Sequence, residues 1–279
     1  MQGSDRAARG DRVVGPLARR SDDLALALDV LAGPDEAAGV AWRLELPPPR
    51  AARLTGYRVA ARLDDPYFPI DRQVRAVLEE VVDALRAVGV SVDTECRPPS
   101  LAEGHDVAQR LIQGGMSHAL PPEEYDRLLA EAASRRPDDE SPPARWARNI
   151  TQRARELNLI AERRLHLQRE WSAFFRTYDV LLTPVTPTPA FLHDHDRDVD
   201  ARTIVLDGAP FPYADQFAWL QAVGVAHLPA VSAPASRTPG SLPVGIQIVA
   251  PRFEDRTAID FAGRLAEVAG GFVPPPAVR

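Results

Sequence analysis

The sequence predicts an α/β fold that contains a parallel pair of strands. The stretch TGYRVAARL alternates apolar residues with Arg58 and Arg62, which is the pattern of a half-buried strand. An apolar stripe at helical spacing comes next, and the short apolar stretch VSV follows it. A strand, a helix and a second strand in this order favour a crossover unit, whose two strands run parallel in one sheet.

A helix is predicted ahead of this unit. It begins at Ser21, a good N-cap residue, with acidic residues in its first turn, and it ends at Gly33 and Pro34. Its apolar spacing predicts one buried face, formed by Leu24, Leu28 and Leu31. Residues 1–12 are polar and rich in arginine and glycine, so we expect a disordered arm there and a single domain over residues 13–279.

The crossover helix and the region after it are the largest helical parts of the sequence. The crossover helix begins at Asp71 and ends at Gly89. Its apolar stripe consists of Val74, Leu78, Val81, Leu85 and Val88. Residues of about 101–176 have mostly helical patterns, interrupted by a polar, proline-broken loop at Arg135–Ala144. We expect these residues to form a mostly helical insert in the domain.

The remaining elements are short strands and a closing helix. DVLLTP is typical of a buried strand that ends at Pro184. PAVSAPA and LPVGIQIVAP are both strand-like. An amphipathic segment near Arg256–Val268 predicts the last helix.

Composition excludes several classes of protein. The 279 residues are 45% hydrophobic and 26% charged, which is ordinary for a soluble globular chain. A net charge of −6 without a basic stripe argues against a nucleic-acid partner. No apolar run approaches the ~18 residues of a membrane span. The N-terminus lacks the apolar core of a secretory signal, so we expect a cytoplasmic location. A single cysteine, Cys96, excludes an internal disulfide framework and a thiolate zinc cluster.

The chain contains no lysine, because all 33 of its basic residues are arginine. A guanidinium keeps its proton at any working pH, whereas a buried lysine amine can act as a base. The composition therefore removes every mechanism that depends on a lysine of this chain.

Three stretches together resemble the amidase signature family. They are GPLARRSDDLALALDVLAGP, YDVLLTPVTPTPAF and LPAVSAPASRTPGSLPVGIQIVAPRFEDRTAIDFAGRLAE. The third is the most specific, since it combines a Pro-Ala turn, a Pro-Val-Gly strand start and an acidic helix start in one register. The resemblance covers nearly all of Val13–Glu267. It implies an incomplete amidase-signature fold, with a mixed β-sheet flanked by α-helices on both faces.

The resemblance also implies a chemistry, the hydrolysis of carboxamide C–N bonds. In the family, a lysine activates a serine held in a cis peptide, and this serine relays a proton from a second, nucleophilic serine in a Gly/Ser-rich loop. The nucleophile needs such a base because a serine hydroxyl is weak, and the loop amides stabilise the oxyanion. These groups lie upstream of the Gly-Pro-Leu-Ala-Arg motif, and neither a lysine nor a Gly-Gly-Ser-Ser-Gly loop occurs here. No catalytic residue, cofactor or metal is therefore assigned.

Three functional hypotheses follow from that resemblance. The first is a truncated amidase-family chain that is catalytically incompetent alone. The second is a non-catalytic binding or scaffold subunit, or half of a split amidase completed by a partner chain that supplies the missing N-terminal half. The third is an enzyme that uses the remaining pocket with other residues. Open sheet edges and uncovered helix faces promote association, so the expected partners are a second copy, as a dimer, or that completing chain, with a small amide as a possible ligand.

The residues expected to bind substrate precede the Leu-Pro-Ala turn, which borders the pocket in the family. They are Tyr213, Asp215, Trp219 and His227. His227 and Gly224 stand where the family often has a glycine and an asparagine. His227 and Asp215 could pair as a base and its orienting group, but a structural histidine packed under the turn is the favoured interpretation.

Two other motifs allow a functional and a structural interpretation. Ser117 and His118 could be a nucleophile and its base, but adjacent side chains diverge on a helix, which favours a simple break in a helical region. His193 and His195 could share one side of a strand and bind a metal, but no third ligand follows from the spacing, which favours a solvated loop.

Overall fold

The architecture is a mixed sheet between two layers of helices, in a computed structural model that describes residues 14–275 apart from the side chain at position 200. The strands are β1 (Val59–Ala61), β2 (Val92–Asp93), β3 (Val180–Pro184), β4 (Thr203–Leu206), β5 (Ala209–Pro212), β6 (Ala230–Arg237) and β7 (Pro243–Val249). The helices are α1 (Ser21–Leu31), α2 (Arg72–Ala87), α3 (Leu101–Met116), α4 (Pro122–Ser134), α5 (Pro142–Ile150), α6 (Ala154–Phe174), α7 (Ala218–Gly224) and α8 (Asp255–Ala269). The arm predicted for residues 1–12 lies outside the described residues.

The main sheet has five strands in the order β2-β1-β3-β7-β6. Strand β1 runs parallel to β2, with Val59 opposite Val92, and parallel to β3. Strand β7 runs antiparallel to both of its neighbours. The parallel pair and the mixed sheet expected from the sequence are therefore confirmed. Strands β4 and β5 form a separate hairpin beside this sheet.

Strand β1 is buried on both faces, so the prediction of a half-buried strand was wrong. Ala60 is 0% exposed, and its neighbours Val59 and Ala61 are each 1% exposed. The alternation with Arg58 and Arg62 does not mark a solvent face, because these arginines flank a strand of only three residues that lies between β2 and β3. The sheet instead ends at β2 on one side and at β6 on the other.

An apolar core lies on each face of the sheet, and each core is covered by its own set of helices. Val59, Ala61 and Leu182 pack with α2 and α8 in one core. Ala60, Leu181 and Val249 pack with α3, α6 and α7 in the other. Adjacent strand residues point to opposite faces, which explains this division. Helices on both faces of the sheet are thus confirmed.

Helix α2 forms where its caps predict. The Asp71 carboxylate accepts a hydrogen bond from the Gln73 backbone N–H at 2.8 Å. Such a cap stabilises the helix by about 1 kcal/mol. At the other end Gly89 has a φ of +86°, and the Val90 amide donates to the Leu85 carbonyl at 3.0 Å. Glycine suits this left-handed position because it has no Cβ. The predicted stripe is buried except for Val88, which follows the last turn and is 46% exposed.

Helix α1 does not have the buried face expected from its spacing. It packs against α8, where Ser21 lies so close to Gly263 that a Cβ there would meet Ser21 Oγ at 2.5 Å. Leu24 and Leu28 are only half-buried, and Leu31 is 67% exposed. The periodic pattern predicted the helix correctly, but no element among the described residues covers the rest of its apolar face.

Candidate functional site

A cavity of about 190 Å³ lies at the carboxyl ends of the parallel strands β1 and β3. The segment Tyr67–Pro69 follows β1 and Pro187 follows β3, and both line it. In α/β folds this edge of the sheet is where ligands bind. Helices and the hairpin complete the lining with Arg145, Phe211, Asp215, Ala218, Trp219 and His105.

One wall of this carboxyl-edge cavity is aromatic. The ring centroids of Phe68 and Trp219 are 5.4 Å apart, and those of Phe68 and His105 are 5.5 Å apart. Tyr67 contacts the same imidazole edge-on at 6.1 Å. Flat apolar groups pack well against such a wall, since aromatic rings favour offset and edge-on contacts. The wall therefore suits an aromatic or short apolar group of a ligand.

His105 is a buried, neutral imidazole in this cavity. It is 5% exposed, and burial lowers the pKa of its imidazole below the usual range, while the Asp215 carboxylate opposes part of that shift. Its Nε2 lies 3.2 Å from the Gln109 amide nitrogen, one turn along α3. With the Gln109 amide nitrogen facing the ring, Nε2 accepts and the ring proton is on Nδ1.

An amide network holds the imidazole in place. The Gln109 nitrogen also donates to the Gln221 oxygen of α7 at 2.7 Å. The Gln109 oxygen accepts from Gln113 at 2.6 Å, and the Gln113 oxygen accepts from Asn149 of α5 at 2.9 Å. The network therefore joins three helices that line the cavity, and the amides of Gln109 and Gln113 each hydrogen-bond through both their nitrogen and their oxygen.

Gly104 allows α3 to approach α7. A Cβ at this position would meet the Ala222 carbonyl oxygen at 2.5 Å, which real Cβ atoms do not tolerate. The close approach places His105 of α3 and Trp219 of α7 at one cavity. A glycine inside a helical pattern is a sequence signal for such an approach, and it was the available pointer to His105. Arg145, Tyr67 and Phe68 carried no comparable signal.

The structure separates the four residues expected to bind substrate. Asp215 and Trp219 line the carboxyl-edge cavity. Tyr213 packs against Phe191 at 5.9 Å and is absent from the lining of this cavity. His227 has a φ of +58° and directly precedes Leu228, which lines a different cavity at the other edge of the sheet. The pairing of His227 with Asp215 stays a prediction.

That amino-edge cavity is larger, at about 480 Å³, but its charges serve the fold. Arg50 and Arg58, which line it, bind the Asp179 carboxylate at 3.1 and 2.7 Å. Arg50 also binds Glu254 through two hydrogen bonds. Because these guanidinium groups already have carboxylate partners, we place the candidate site at the smaller cavity.

The other motifs have local roles. Ser117 Oγ donates to the Gly114 carbonyl at 2.8 Å and His118 Nδ1 donates to the Gly115 carbonyl at 2.7 Å, so both side chains bond the end of their own helix. The His193 and His195 rings stack on each other. Across residues 14–275 no group of three or more His, Cys, Asp or Glu side chains is arranged to hold a metal ion. Burial raises the pKa of the Cys96 thiol to about 11, as is typical of a structural cysteine.

Comparison with known proteins identifies one family. The family model described as Amidase matches residues 1–259. A glutamyl-tRNA(Gln) amidotransferase subunit from Thermus thermophilus is 30% identical, over 87% of this chain and 52% of its own length. Indoleacetamide hydrolase of Bradyrhizobium japonicum is 27% identical, over 92% of this chain and 52% of its own. The chain thus spans about half the length of these relatives.

Solved structures share the fold. The corresponding glutamyl-tRNA(Gln) amidotransferase subunit from Thermotoga maritima superposes with a TM-score of 0.68 at 19% identity, over 92% of this chain and 52% of that one. A bacterial aryl acylamidase of the amidase signature family gives 0.67 at 19% identity, over 91% and 52%. Within the part of the chain described, no helix combines the length and apolarity that crossing a bilayer requires.

Proposed function

This chain belongs to the Amidase family, and from that premise we propose that it supplies the part of an amide hydrolase that binds the acyl group of the substrate. The observation that carries the proposal is the cavity at the carboxyl edge of the sheet, with its aromatic wall and the buried imidazole of His105. At about 190 Å³ the cavity lies below the common range of ligand pockets, which favours a small acyl group.

The proposed substrates are small carboxamides with an aromatic or short apolar acyl group. Phe68 and Trp219 pack against that group, and Asp215 and Arg145 place one charge of each sign at the same cavity. The names of two relatives, an indoleacetamide hydrolase and an aryl acylamidase, agree with a substrate of this kind. His105 stays neutral there, which avoids the cost of a buried imidazolium.

We further propose that hydrolysis uses a serine and a lysine that this chain does not contribute. Attack on an amide needs an activated nucleophile and stabilisation of the oxyanion, each worth orders of magnitude in rate. No lysine is present in the 279 residues. One relative is by name an enzyme subunit, and a solved structure of similar fold is described as a vestigial protein complex that reveals the evolutionary origins of an s-triazine catabolic enzyme. A second chain could supply the same groups here.

Two surfaces support docking of such a chain. Strand β6 has eight residues and is an edge of the sheet, with no strand beyond it among the described residues. Unpaired strand edges readily accept another strand. Large apolar side chains are also exposed along the segment before β1, namely Val14, Leu17, Val40 and Trp42. A purely scaffolding protein would use the same surfaces, but it would have no need of the carboxyl-edge cavity.

The test combines binding and turnover on the purified 279-residue chain. We expect benzamide or phenylacetamide to bind, as measured by ligand-observed NMR, with no ammonia release above background. Ala218→Leu should abolish binding because it fills the cavity, whereas Ser172→Leu, at the amino-edge cavity, is the matched control and should not.

Three outcomes would contradict parts of the proposal. Absence of binding would remove the acyl-binding role, and turnover that a serine-directed covalent probe abolishes would show that the chain is sufficient alone. A compact monomer in sedimentation across a micromolar dilution series would argue against the docking surfaces. Thermal melting of both variants controls for folding.

A further inference from the structure

Two buried hydrogen-bond donors at the carboxyl-edge cavity have no partner. Trp219 Nε1 and His105 Nδ1 each lack a hydrogen bond to any described residue, and the two side chains are 1% and 5% exposed. Both residues line the same cavity. Folded proteins satisfy nearly all of their buried polar groups, so a pair of unsatisfied donors at one cavity calls for a partner that is not part of the chain.

With the amides oriented as they are, both groups are donors. An indole nitrogen always carries its hydrogen. The imidazole carries its proton on Nδ1, because Nε2 accepts from Gln109, whose own oxygen is engaged by Gln113. Reversing the tautomer would require reversing four amides together, those of Gln109, Gln113, Asn149 and Gln221. This arrangement of the network makes both unpaired groups at the cavity hydrogen-bond donors.

We propose that His105 Nδ1 and Trp219 Nε1 bind one acceptor oxygen on the acyl group of the ligand, separate from the carbonyl of the amide that is cleaved. A carbonyl oxygen has two lone pairs and can accept from both donors at once. The inference deepens the proposed function and rests on it. It narrows the ligand class to small carboxamides whose acyl group carries a carbonyl-type oxygen.

The expected consequence is selectivity between isosteric ligands. A site built to hydrogen-bond a ligand rejects an analogue without that group, because its own polar atoms then stay unpaired. A general apolar pocket would favour the analogue or show no preference. For two neutral hydrogen bonds we expect a preference of roughly tenfold or more in affinity.

The experiment uses 4-acetylbenzamide and 4-isopropenylbenzamide, which have nearly the same shape and differ by a C=O in place of a C=CH₂. On the unmodified chain, titration calorimetry should show at least tenfold tighter binding of the acetyl compound. Trp219→Phe and His105→Leu should each reduce that preference. His105→Asn should retain it, because the asparagine amide nitrogen can occupy the position of Nδ1.

Long-range ¹H–¹⁵N correlation of the imidazoles provides a second readout. We expect the Nδ1–H tautomer for His105, with a change in the Nδ1 shift when the acetyl compound binds. Equal affinity for the two compounds, or an Nε2–H tautomer, would overturn the inference while leaving amide binding intact. Binding of neither compound, nor of benzamide, would overturn the proposed function and this inference together.

Discussion

The two edges of the parallel strands differ in how their polar groups are satisfied. At the amino edge, Asp179 accepts hydrogen bonds from the Arg58 amide and from the Arg50 and Arg58 side chains. At the carboxyl edge, buried donors of His105 and Trp219 have no partner among the described residues. A network whose polar groups are all hydrogen-bonded stabilises a fold, whereas polar groups without a partner stay available for a ligand. The smaller cavity is for this reason the better candidate site.

The largest effect should come from breaking the amino-edge network. Asp179→Ala leaves Arg50 and Arg58 without this carboxylate, and Asp179 is only 6% exposed. The Arg50 and Arg58 side chains are 27% and 53% exposed, so the cost comes mainly from the lost charge-assisted hydrogen bonds to the buried carboxylate. We expect a loss of roughly 2–3 kcal/mol in the free energy of unfolding, measured in urea. Asp64→Ala breaks an exposed pair with Arg75 and should cost less than about 1 kcal/mol. Equal losses of stability in the two variants would show that the Asp179 network stabilises the fold no more than an exposed ion pair.

The same carboxylate should make stability depend on acidity. Burial acts to raise the pKa of Asp179, but the hydrogen bonds from Arg58 and Arg50 outweigh it and hold the pKa below the usual range. A depressed pKa stabilises the fold above the unfolded value of about 3.9, and the stabilisation disappears as the pH falls through the folded value. The stability difference between the unmodified chain and Asp179→Asn should therefore shrink below about pH 4.

A pair of glycines in α3 tests the carboxyl edge. Gly104→Ala introduces a Cβ against the Ala222 carbonyl, which should separate α3 from α7 at a cost of about 1–3 kcal/mol and weaken ligand binding. Gly115 lies in the same helix with nothing within 4 Å of the position that a Cβ would take, so Gly115→Ala should stabilise by about 0.5–1 kcal/mol. Chemical denaturation measures both, and a neutral Gly104→Ala would show that the close approach is dispensable.

The smallest expected effect is the titration of His105. Its lowered pKa means that the folded chain resists a proton which the unfolded chain takes up below about pH 6.5. Stability should then fall with decreasing pH by less than about 1.4 kcal/mol per pH unit, which is the limit for one proton. Burial and Arg145 lower this pKa, whereas Asp215, Asp106 and the Gln221 hydrogen bond favour the charged ring and reduce the effect. His105→Leu should flatten this slope between pH 5 and pH 6.5, and an unchanged slope would assign it to another group.

The local elements and the family were accessible from the sequence alone. The cap at Asp71, the glycine stop at Gly89 and the strand DVLLTP depend on neighbouring residues, and each formed as its pattern predicts. The family was recognisable because its motifs are local as well. Short-range hydrogen bonding and the periodicity of apolar residues carry this information without reference to the rest of the chain.

The site was decided by the tertiary structure. Asp215 and Trp219, two of the residues that the sequence predicted to bind substrate, line the carboxyl-edge cavity, but His105 beside them lies more than a hundred residues earlier on α3. Its place depends on the order of strands in the sheet and on the backbone contact at Gly104. The same holds for β1, whose burial on both faces follows from its neighbours and not from its own alternation. Contacts between distant segments arise from packing, which no local pattern records.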